Sequence, residues 1–251
     1  MKETRLLMGM PITIEIVDEA VNKEIFEKAF EYFGYIDKTF SPFKPDSEIS
    51  KINRKEIIES DWNKDIKEVF LLAEKTKQET KGYFDIVDNN GKYNPSGIVK
   101  GWAILKASQL IKDLGFNNFY VNAGGDVQFF GKNNDGKTWS IGIKNPFNQK
   151  EIVKVVYLKD GNGIATSGNY IRGDHIYNPN DRKEKIEDIV SFTVIGPDVC
   201  EADRFATAVF AMGRDGINFL NEMPEYAGYM INKNGIAYMT NNFDKYTNEN
   251  F

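Results

Sequence analysis

The pair of residues with the clearest chemistry lies in EADRFATAVFAMG, residues 201–213. Asp203 and Thr207 are four positions apart, so on a helix both side chains project from the same face. A carboxylate and a hydroxyl are hard oxygen ligands of the kind that Mg²⁺ prefers, and substrate phosphate oxygens usually complete its shell. The spacing therefore indicates a metal and phosphate site. The plainer interpretation is a helix cap beside a structural threonine.

The only histidine of the chain, His175, lies in TSGNYIRGDHIYNP, residues 166–179. Thr166, Ser167 and Gly168 form a predicted turn that offers hydroxyl and backbone N–H groups. A loop of this composition can hold an anionic group. The alternative is a core or surface imidazole with no chemical task.

Two other segments could approach a phosphate. NAGGDV (residues 122–127) follows a predicted strand, and its paired glycines permit a close backbone approach, although Gly-Gly-Asp is also a common turn. Lys100 lies just inside a predicted helix and could direct its ammonium towards phosphate, whereas an ordinary lysine is a solvated surface charge. The chain has no GxxxxGK[ST], no GxGxxG after a strand and no GxSxG, so the P-loop, Rossmann and serine hydrolase classes are not supported. Glycosidase chemistry stays open, because the spatial separation of two carboxylates defines it.

The composition excludes several other classes. The 251 residues suit one domain or two fused subdomains. The formal net charge is −5 and the basic residues are scattered, which argues against nucleic-acid binding. The single cysteine, Cys200, rules out an intramolecular disulfide and a cysteine-rich zinc site. No signal-peptide core or membrane span is visible in the sequence, so we expect a cytoplasmic protein that does not insert into membranes.

Hydrophobic periodicity predicts an α+β chain with mixed or antiparallel sheets and packed helices. Alternating isoleucines at 12, 14 and 16 predict a strand, and helices are predicted over about 21–36, 66–76, 95–113 (with Asn94 as the cap) and 201–212. A loop rich in side-chain oxygens is predicted over residues 40–53, and a frayed polar tail over 241–251. The remaining predicted strands are FYV, WSIGI, IVKVVYL, VSFTVIG, AGYMI and IAYMT.

Eight motifs that span nearly the whole chain occur in an order that resembles the ApbE family of FAD:protein FMN transferases. They are MGMPITI (8–14), SPFKPDSEISKIN (41–53), GYFDI (82–86), NPSGIVKGWAI (94–104), NAGGDV (122–127), WSIGIKNP (139–146), IATSGNYIRGDHIYNP (164–179) and EADRFATAVFAMG (201–213). The resemblance implies one domain over residues 1–251, with two intertwined subdomains of T-fold-like architecture. It also implies a Mg²⁺-dependent enzyme that splits FAD, joins FMN through a phosphoester to a Thr or Ser of a target flavoprotein, and releases AMP.

The resemblance also implies roles for individual residues. Asp203 and Thr207 match metal ligands, as does a main-chain oxygen near Val99. His175 and Asp203 match catalytic residues, with His175 as the base that takes the proton of the incoming hydroxyl. The positions matched to FAD binding are Gly9, Met10, Lys100, Gly124, Gly125, Asp126, Thr166, Ser167 and Gly168. Phe43 is added to them as an aromatic ring able to stack on the flavin.

Some positions depart from the family pattern. The usual Met-Gly-Thr is Met8-Gly9-Met10, an expected Asp is Leu105, and the Asp-Pro after the histidine is Asn178-Pro179. These changes remove carboxylates and a hydroxyl from the predicted site. Two alternatives therefore stay open, an FAD pyrophosphatase that uses water and a non-catalytic protein that binds or carries FAD.

Overall fold

Ten strands build the β-structure in the computed structural model, which describes residues 1–170, 176–183 and 185–248. In chain order they are β1 (Lys2–Leu7), β2 (Met10–Ile16), β3 (Phe119–Ala123), β4 (Asp126–Phe130), β5 (Ser140–Asn145), β6 (Asn148–Tyr157), β7 (Gly163–Gly168), β8 (Ile189–Gly196), β9 (Ala227–Asn232) and β10 (Ala237–Met239). Eight of them form one sheet in the order β1-β2-β3-β4-β7-β8-β9-β10, and β5 and β6 form a separate hairpin. All pairings between these strands are antiparallel, so the predicted α+β class with antiparallel sheets is confirmed.

Six α-helices accompany the sheet in the described part of the chain. They are α1 (Lys23–Phe40), α2 (Glu48–Asn53), α3 (Lys64–Glu79), α4 (Ser96–Asp113), α5 (Val199–Ala211) and α6 (Asp215–Asn221). The side chains of Asn22 and Asn63 cap α1 and α3 by accepting the backbone N–H of the third residue on. Within the described ranges, no helix is long and apolar enough to cross a membrane.

Helices and hairpin cover opposite faces of the large sheet. Val194 and Ile195 are neighbours in β8 and point to different faces, as successive strand residues must. Val194 belongs to an apolar cluster with α5 and α6, whereas Ile195 belongs to a cluster with Trp139 and Val156 of the hairpin region. A third cluster joins α1, α3 and α4 to β2 and β3. Helix α5 therefore packs against the sheet below it and against α4 beside it.

Three local predictions were wrong. The Thr166-Ser167-Gly168 turn is the end of strand β7, which pairs with β8 from Gly163↔Gly196 to Gly168↔Ser191. The predicted loop over 40–53 contains α2, whose six residues are too few to show a helical period and whose cap is Ser47. Small and polar residues hid both elements, because hydrophobic periodicity is the signal on which the predictions depend.

The third wrong prediction concerns the polar tail. Residues Phe243–Tyr246 form a 3₁₀ helix, and the side chain of Phe243 is fully buried with its ring centroid 5.2 Å from that of Tyr229. Asn242 donates a hydrogen bond of 2.8 Å to the carbonyl of Tyr226. Phe243 and Asn242 therefore hold this part of the predicted tail on the sheet, whereas residues 249–251 lie outside the described residues.

Asp198 is the N-cap of α5, where its Oδ1 accepts the backbone N–H of Glu201 at 2.8 Å. We predict that Asp198→Ala lowers the free energy of unfolding by about 1 kcal/mol, since it leaves a helix N–H without its acceptor. Urea titration followed by circular dichroism measures this. Asp188→Ala is the control, because Asp188 is 61% exposed in an ion pair with Lys233 and such pairs contribute little. Equal effects of the two substitutions would contradict the prediction.

Candidate functional site

Helices α4 and α5 approach each other closely at Gly101. A Cβ atom at this position would lie 2.6 Å from the Cβ of Asp203 and 2.8 Å from the carbonyl oxygen of Val199, so only glycine allows the approach. The backbone N–H of Gly101 donates a hydrogen bond of 2.7 Å to Asp203 Oδ2. The contact places the Asp203 carboxylate, which is 2% exposed, against the first turns of α4.

The other side of α5 is fixed by Arg204, whose side chain is 2% exposed. Its guanidinium pairs with Glu201 on the same helix and with Glu79 at the end of α3, each at 2.5 Å. It also donates to the hydroxyl of Thr76 at 3.2 Å. A planar guanidinium that meets two carboxylates sets the position of α5 relative to α3.

A buried charge cluster forms where α4, α5 and β4 meet. The ammonium of Lys100 lies 2.5 Å from Asp126 Oδ2 and 3.4 Å from Asp203 Oδ1. Asp126 begins β4, is 1% exposed, and accepts the backbone N–H of Thr166 at 3.0 Å through Oδ1. Lys100 retains 23% exposure, so the cluster opens to solvent on the lysine side.

The cluster perturbs the titration of its members. Burial raises the pKa of Asp203 to about 7, since the lowering effect of Lys100 is smaller than that of burial and Asp126 raises the value further. The pKa of Lys100 is also raised: burial lowers it, but attraction by Asp126 and Asp203 outweighs burial. Asp203 therefore binds a proton more tightly in the folded chain than an exposed carboxylate does.

Hydroxyl and carbonyl oxygens line the next turn of α5. Thr207 Oγ1 lies 3.2 Å from the carbonyl oxygen of Gly97 and 3.4 Å from Ser167 Oγ. The side chain of Thr166 points to the other face of β7, where its Oγ1 lies 2.9 Å from Thr193 Oγ1, so this predicted hydroxyl is not part of the group. The main-chain oxygen that contacts Thr207 thus belongs to Gly97, two residues before Val99, and the ligand role of Val99 stays a prediction.

The predicted glycine turn directly precedes Asp126, a member of the charge cluster. Gly124 and Gly125 connect β3 to β4 with φ of 62° and 107°, a region that favours glycine. Met10 lies over this turn, since its sulfur is 3.0 Å from where a Cβ of Gly124 would be. Gly9 has φ of 72° and forms the tight turn between β1 and β2.

One predicted site residue, Phe43, lies apart from this group. Phe43 is 86% exposed, while its neighbour Phe40 is a core residue whose ring centroid is 5.7 Å from that of Trp102. Neither aromatic side chain is placed among the residues that contact one another around Asp203. His175 lies outside the described residues.

A divalent cation fits the donor set that the structure brings together. The oxygens of Asp203, Thr207, Ser167 and Gly97 are all hard donors of the kind Mg²⁺ takes. The buried Asp126 Oδ2 has an ion pair but accepts no hydrogen bond from any described residue. Within the described part of the chain, however, no group of three or more His, Cys, Asp or Glu side chains is placed to hold a metal, so water and ligand oxygens would complete its shell.

Sequence reasoning missed three members of the site. The Gly97 carbonyl and the Gly101 N–H lie in the motif NPSGIVKGWAI, where the glycines at 97 and 101 are one helical turn apart and could have indicated a close helix contact. Tyr170 follows β7 and adjoins the cluster: burial raises its pKa, and Asp126 raises it further. Nothing in the local sequence indicates Tyr170.

Comparison with known proteins identifies the family of the chain. The model of the ApbE family matches residues 8–90 and 87–230. The curated relatives include proteins named FAD:protein FMN transferase from Escherichia coli K12, with 29% identity over 153 residues, and from Vibrio cholerae, with 30% identity over 128 residues. These matches cover 58% and 48% of this chain, and 44% and 38% of the two relatives. The chain thus matches less than half the length of either.

Solved structures establish the fold over the whole chain. The flavin transferase ApbE from Vibrio cholerae superposes with a TM-score of 0.85 at 20% identity and covers 98% of both chains. The ApbE protein from Thermotoga maritima superposes with a TM-score of 0.87 at 23% identity and covers 99% of both. With its sheet order, its Asp203 and Thr207 pair and a family match over most of its length, this chain belongs to the ApbE family.

Proposed function

We propose that the chain is an FAD:protein FMN transferase: it cleaves the diphosphate of FAD, transfers FMN to a Thr or Ser hydroxyl of an acceptor flavoprotein, and releases AMP. The observation that carries the proposal is the buried cluster of Lys100, Asp126 and Asp203 beside the hydroxyls of Ser167 and Thr207. Family membership and the names of the curated relatives support it.

The described residues can bind and orient a diphosphate. The Lys100 ammonium is the positive charge of the cluster, and the lysine side chain is 23% exposed. The exposed Gly124-Gly125 turn allows a ligand to approach the backbone, and Ser167 offers a hydroxyl group at the end of β7. In this proposal, binding energy from these contacts positions the bridging phosphates for attack.

Asp203 and Thr207 would hold Mg²⁺ together with a main-chain oxygen from the first turn of α4. Bound there, the cation would neutralise diphosphate charge and stabilise the leaving AMP. The rigid backbone contact from Gly101 to Asp203 keeps the carboxylate in place without further rearrangement.

His175 remains the proposed general base, on the strength of its motif. The oxygen of the acceptor hydroxyl forms a bond to the FMN phosphorus as the bond from that phosphorus to the bridging oxygen breaks. AMP leaves with the bridging oxygen, and the hydroxyl proton passes to the imidazole. The reaction is thereby balanced without any oxidant or reductant.

One assay distinguishes the proposal from its two alternatives. The purified chain is incubated with FAD and Mg²⁺, with and without a peptide that carries an Asp-Gly-x-Ser/Thr-Gly-Ala acceptor, and AMP is measured by chromatography. AMP that appears only with peptide, together with flavinylated peptide in the mass spectrum, supports the transferase. AMP without peptide indicates a pyrophosphatase. FAD binding with no AMP in either mixture indicates a carrier.

Ligand protection against heat provides a further prediction. If both halves of FAD occupy the cleft, FAD should raise the melting temperature more than FMN or AMP does at the same concentration, because stabilisation grows with affinity. Differential scanning fluorimetry with EDTA present measures this without turnover. Equal shifts from FMN and FAD would instead indicate a site for flavin mononucleotide alone.

A further inference from the structure

Lys100 is held between two carboxylates that do not depend on it for their position. Asp203 Oδ1 and Asp126 Oδ2 both face the ammonium, at 3.4 and 2.5 Å. The second oxygen of each carboxylate accepts a backbone N–H, from Gly101 for Asp203 and from Thr166 for Asp126. The main chain therefore fixes both carboxylates, and they would stay in place if the lysine side chain moved away.

We propose that the Lys100 ammonium is a resident counter-ion that competes with a divalent cation for Asp203. A cation alone then binds the free chain weakly, whereas a cation and a diphosphate bind together. The inference rests on the proposed function for the identity of both ligands.

The charges of the cluster support this competition. Two carboxylates and one ammonium leave one net negative charge, which a divalent cation would convert to one net positive charge if the ammonium stayed. Like charges within a few ångströms repel strongly in a buried site. A diphosphate removes the conflict, because its oxygens give the displaced ammonium a new partner.

Lys100 also has the freedom to move that the proposal requires. Its side chain is 23% exposed, while Asp126 and Asp203 are 2% and 3% exposed, so the lysine provides the open side of the cluster. A flexible four-carbon stem lets an ammonium exchange between partners that lie a few ångströms apart. The buried carboxylates have no such freedom.

Lys100→Met tests the proposal through binding rather than turnover. Mn²⁺ affinity is measured by electron paramagnetic resonance of the free ion without nucleotide, and FAD affinity by flavin fluorescence in EDTA. We expect Mn²⁺ to bind about 10-fold more tightly and FAD without metal about 10-fold more weakly, within the usual range for coupled sites. A merely structural lysine would weaken both affinities or leave both unchanged, and either result overturns the proposal.

Lys106→Met is the matched control, since Lys106 lies on the same helix in an exposed ion pair of 2.7 Å with Glu68. The affinities of Lys106→Met for Mn²⁺ and for FAD should stay within about two-fold of wild type.

If Lys100→Met does not fold, the double variant Lys100→Met/Asp126→Asn tests the proposal instead. It removes one charge of each sign and retains Asp203. Tighter Mn²⁺ binding by this double variant supports the proposal, and unchanged or weaker binding overturns it. Absence of AMP release from the wild type would count against the proposed function only.

Discussion

Asp203→Asn should abolish Mg²⁺-dependent release of AMP from FAD while the chain still folds. The substitution keeps an oxygen to accept the Gly101 N–H, which Asp203 Oδ2 now accepts at 2.7 Å. The substitution removes the negative charge of the carboxylate. That charge faces Lys100 and, in the proposed function, also faces the bound cation. Loss of a group that stabilises charge in the transition state should lower the rate at least about 10³-fold. Chromatographic measurement of AMP under saturating Mg²⁺ tests this.

The same variant should change how stability depends on pH. The pKa of Asp203 is raised from 3.8 to about 7 in the folded chain, so the folded state binds a proton more tightly than the unfolded state. The stability gained from this tighter proton binding is complete below pH 3.8, and it is lost as the pH rises to about 7. In EDTA, the melting temperature of the wild type should therefore fall across this window by more than that of Asp203→Asn.

A carboxylate of α4 that lies away from the cluster provides the control. Asp113, at the end of α4, accepts a hydrogen bond of 2.9 Å from Gln109 in an exposed position. Asp113→Asn should retain wild-type AMP release and the wild-type pH dependence. If Asp203→Asn released AMP at a rate within about ten-fold of wild type, the charge stabilisation assigned to this carboxylate would be absent.

Local patterns predicted the helices that carry the site. The apolar residues of α5 recur at helical spacing, and a four-residue separation on a helix is enough to place Asp203 and Thr207 on one face. In the structure both side chains face α4, since a Cβ atom at Gly97 would meet Thr207 and one at Gly101 would meet Asp203. Helical periodicity depends on residues that are close together in the chain, so a single sequence is enough to predict it.

Contacts between distant segments could not be predicted in this way. Lys100 and Asp126 pair across a separation of 26 residues, and Gly101 meets Asp203 across 102 residues. Composition makes an exposed lysine the ordinary expectation, and nothing in the sequence around Lys100 shows that two buried carboxylates will surround it. The resemblance to a family named Lys100, Asp126 and Asp203 but not Gly101, and only the fold explains why these residues touch.

Gly101→Ala should impair both the fold and the proposed activity, although it adds a single methyl group. The new Cβ would meet the Cβ of Asp203 at 2.6 Å and the carbonyl oxygen of Val199 at 2.8 Å, and neither atom can move without moving α5. Overpacking of this kind lowers the free energy of unfolding by about 1–3 kcal/mol. Displacement of Asp203 by about 1 Å should lower AMP release about 10²-fold. Urea titration and the AMP assay measure the two effects separately.

Gly34→Ala is the matched control, because Gly34 is also inside a helix but has no atom within 4 Å of its added Cβ. Alanine in a helix interior is favoured over glycine by about 0.5–1 kcal/mol, so this variant should be more stable than wild type and equally active. The two substitutions have the same chemistry and the same helical benefit, and they differ in what the methyl group meets. If Gly101→Ala were as stable and as active as Gly34→Ala, the close contact of α4 with α5 could not be what positions Asp203.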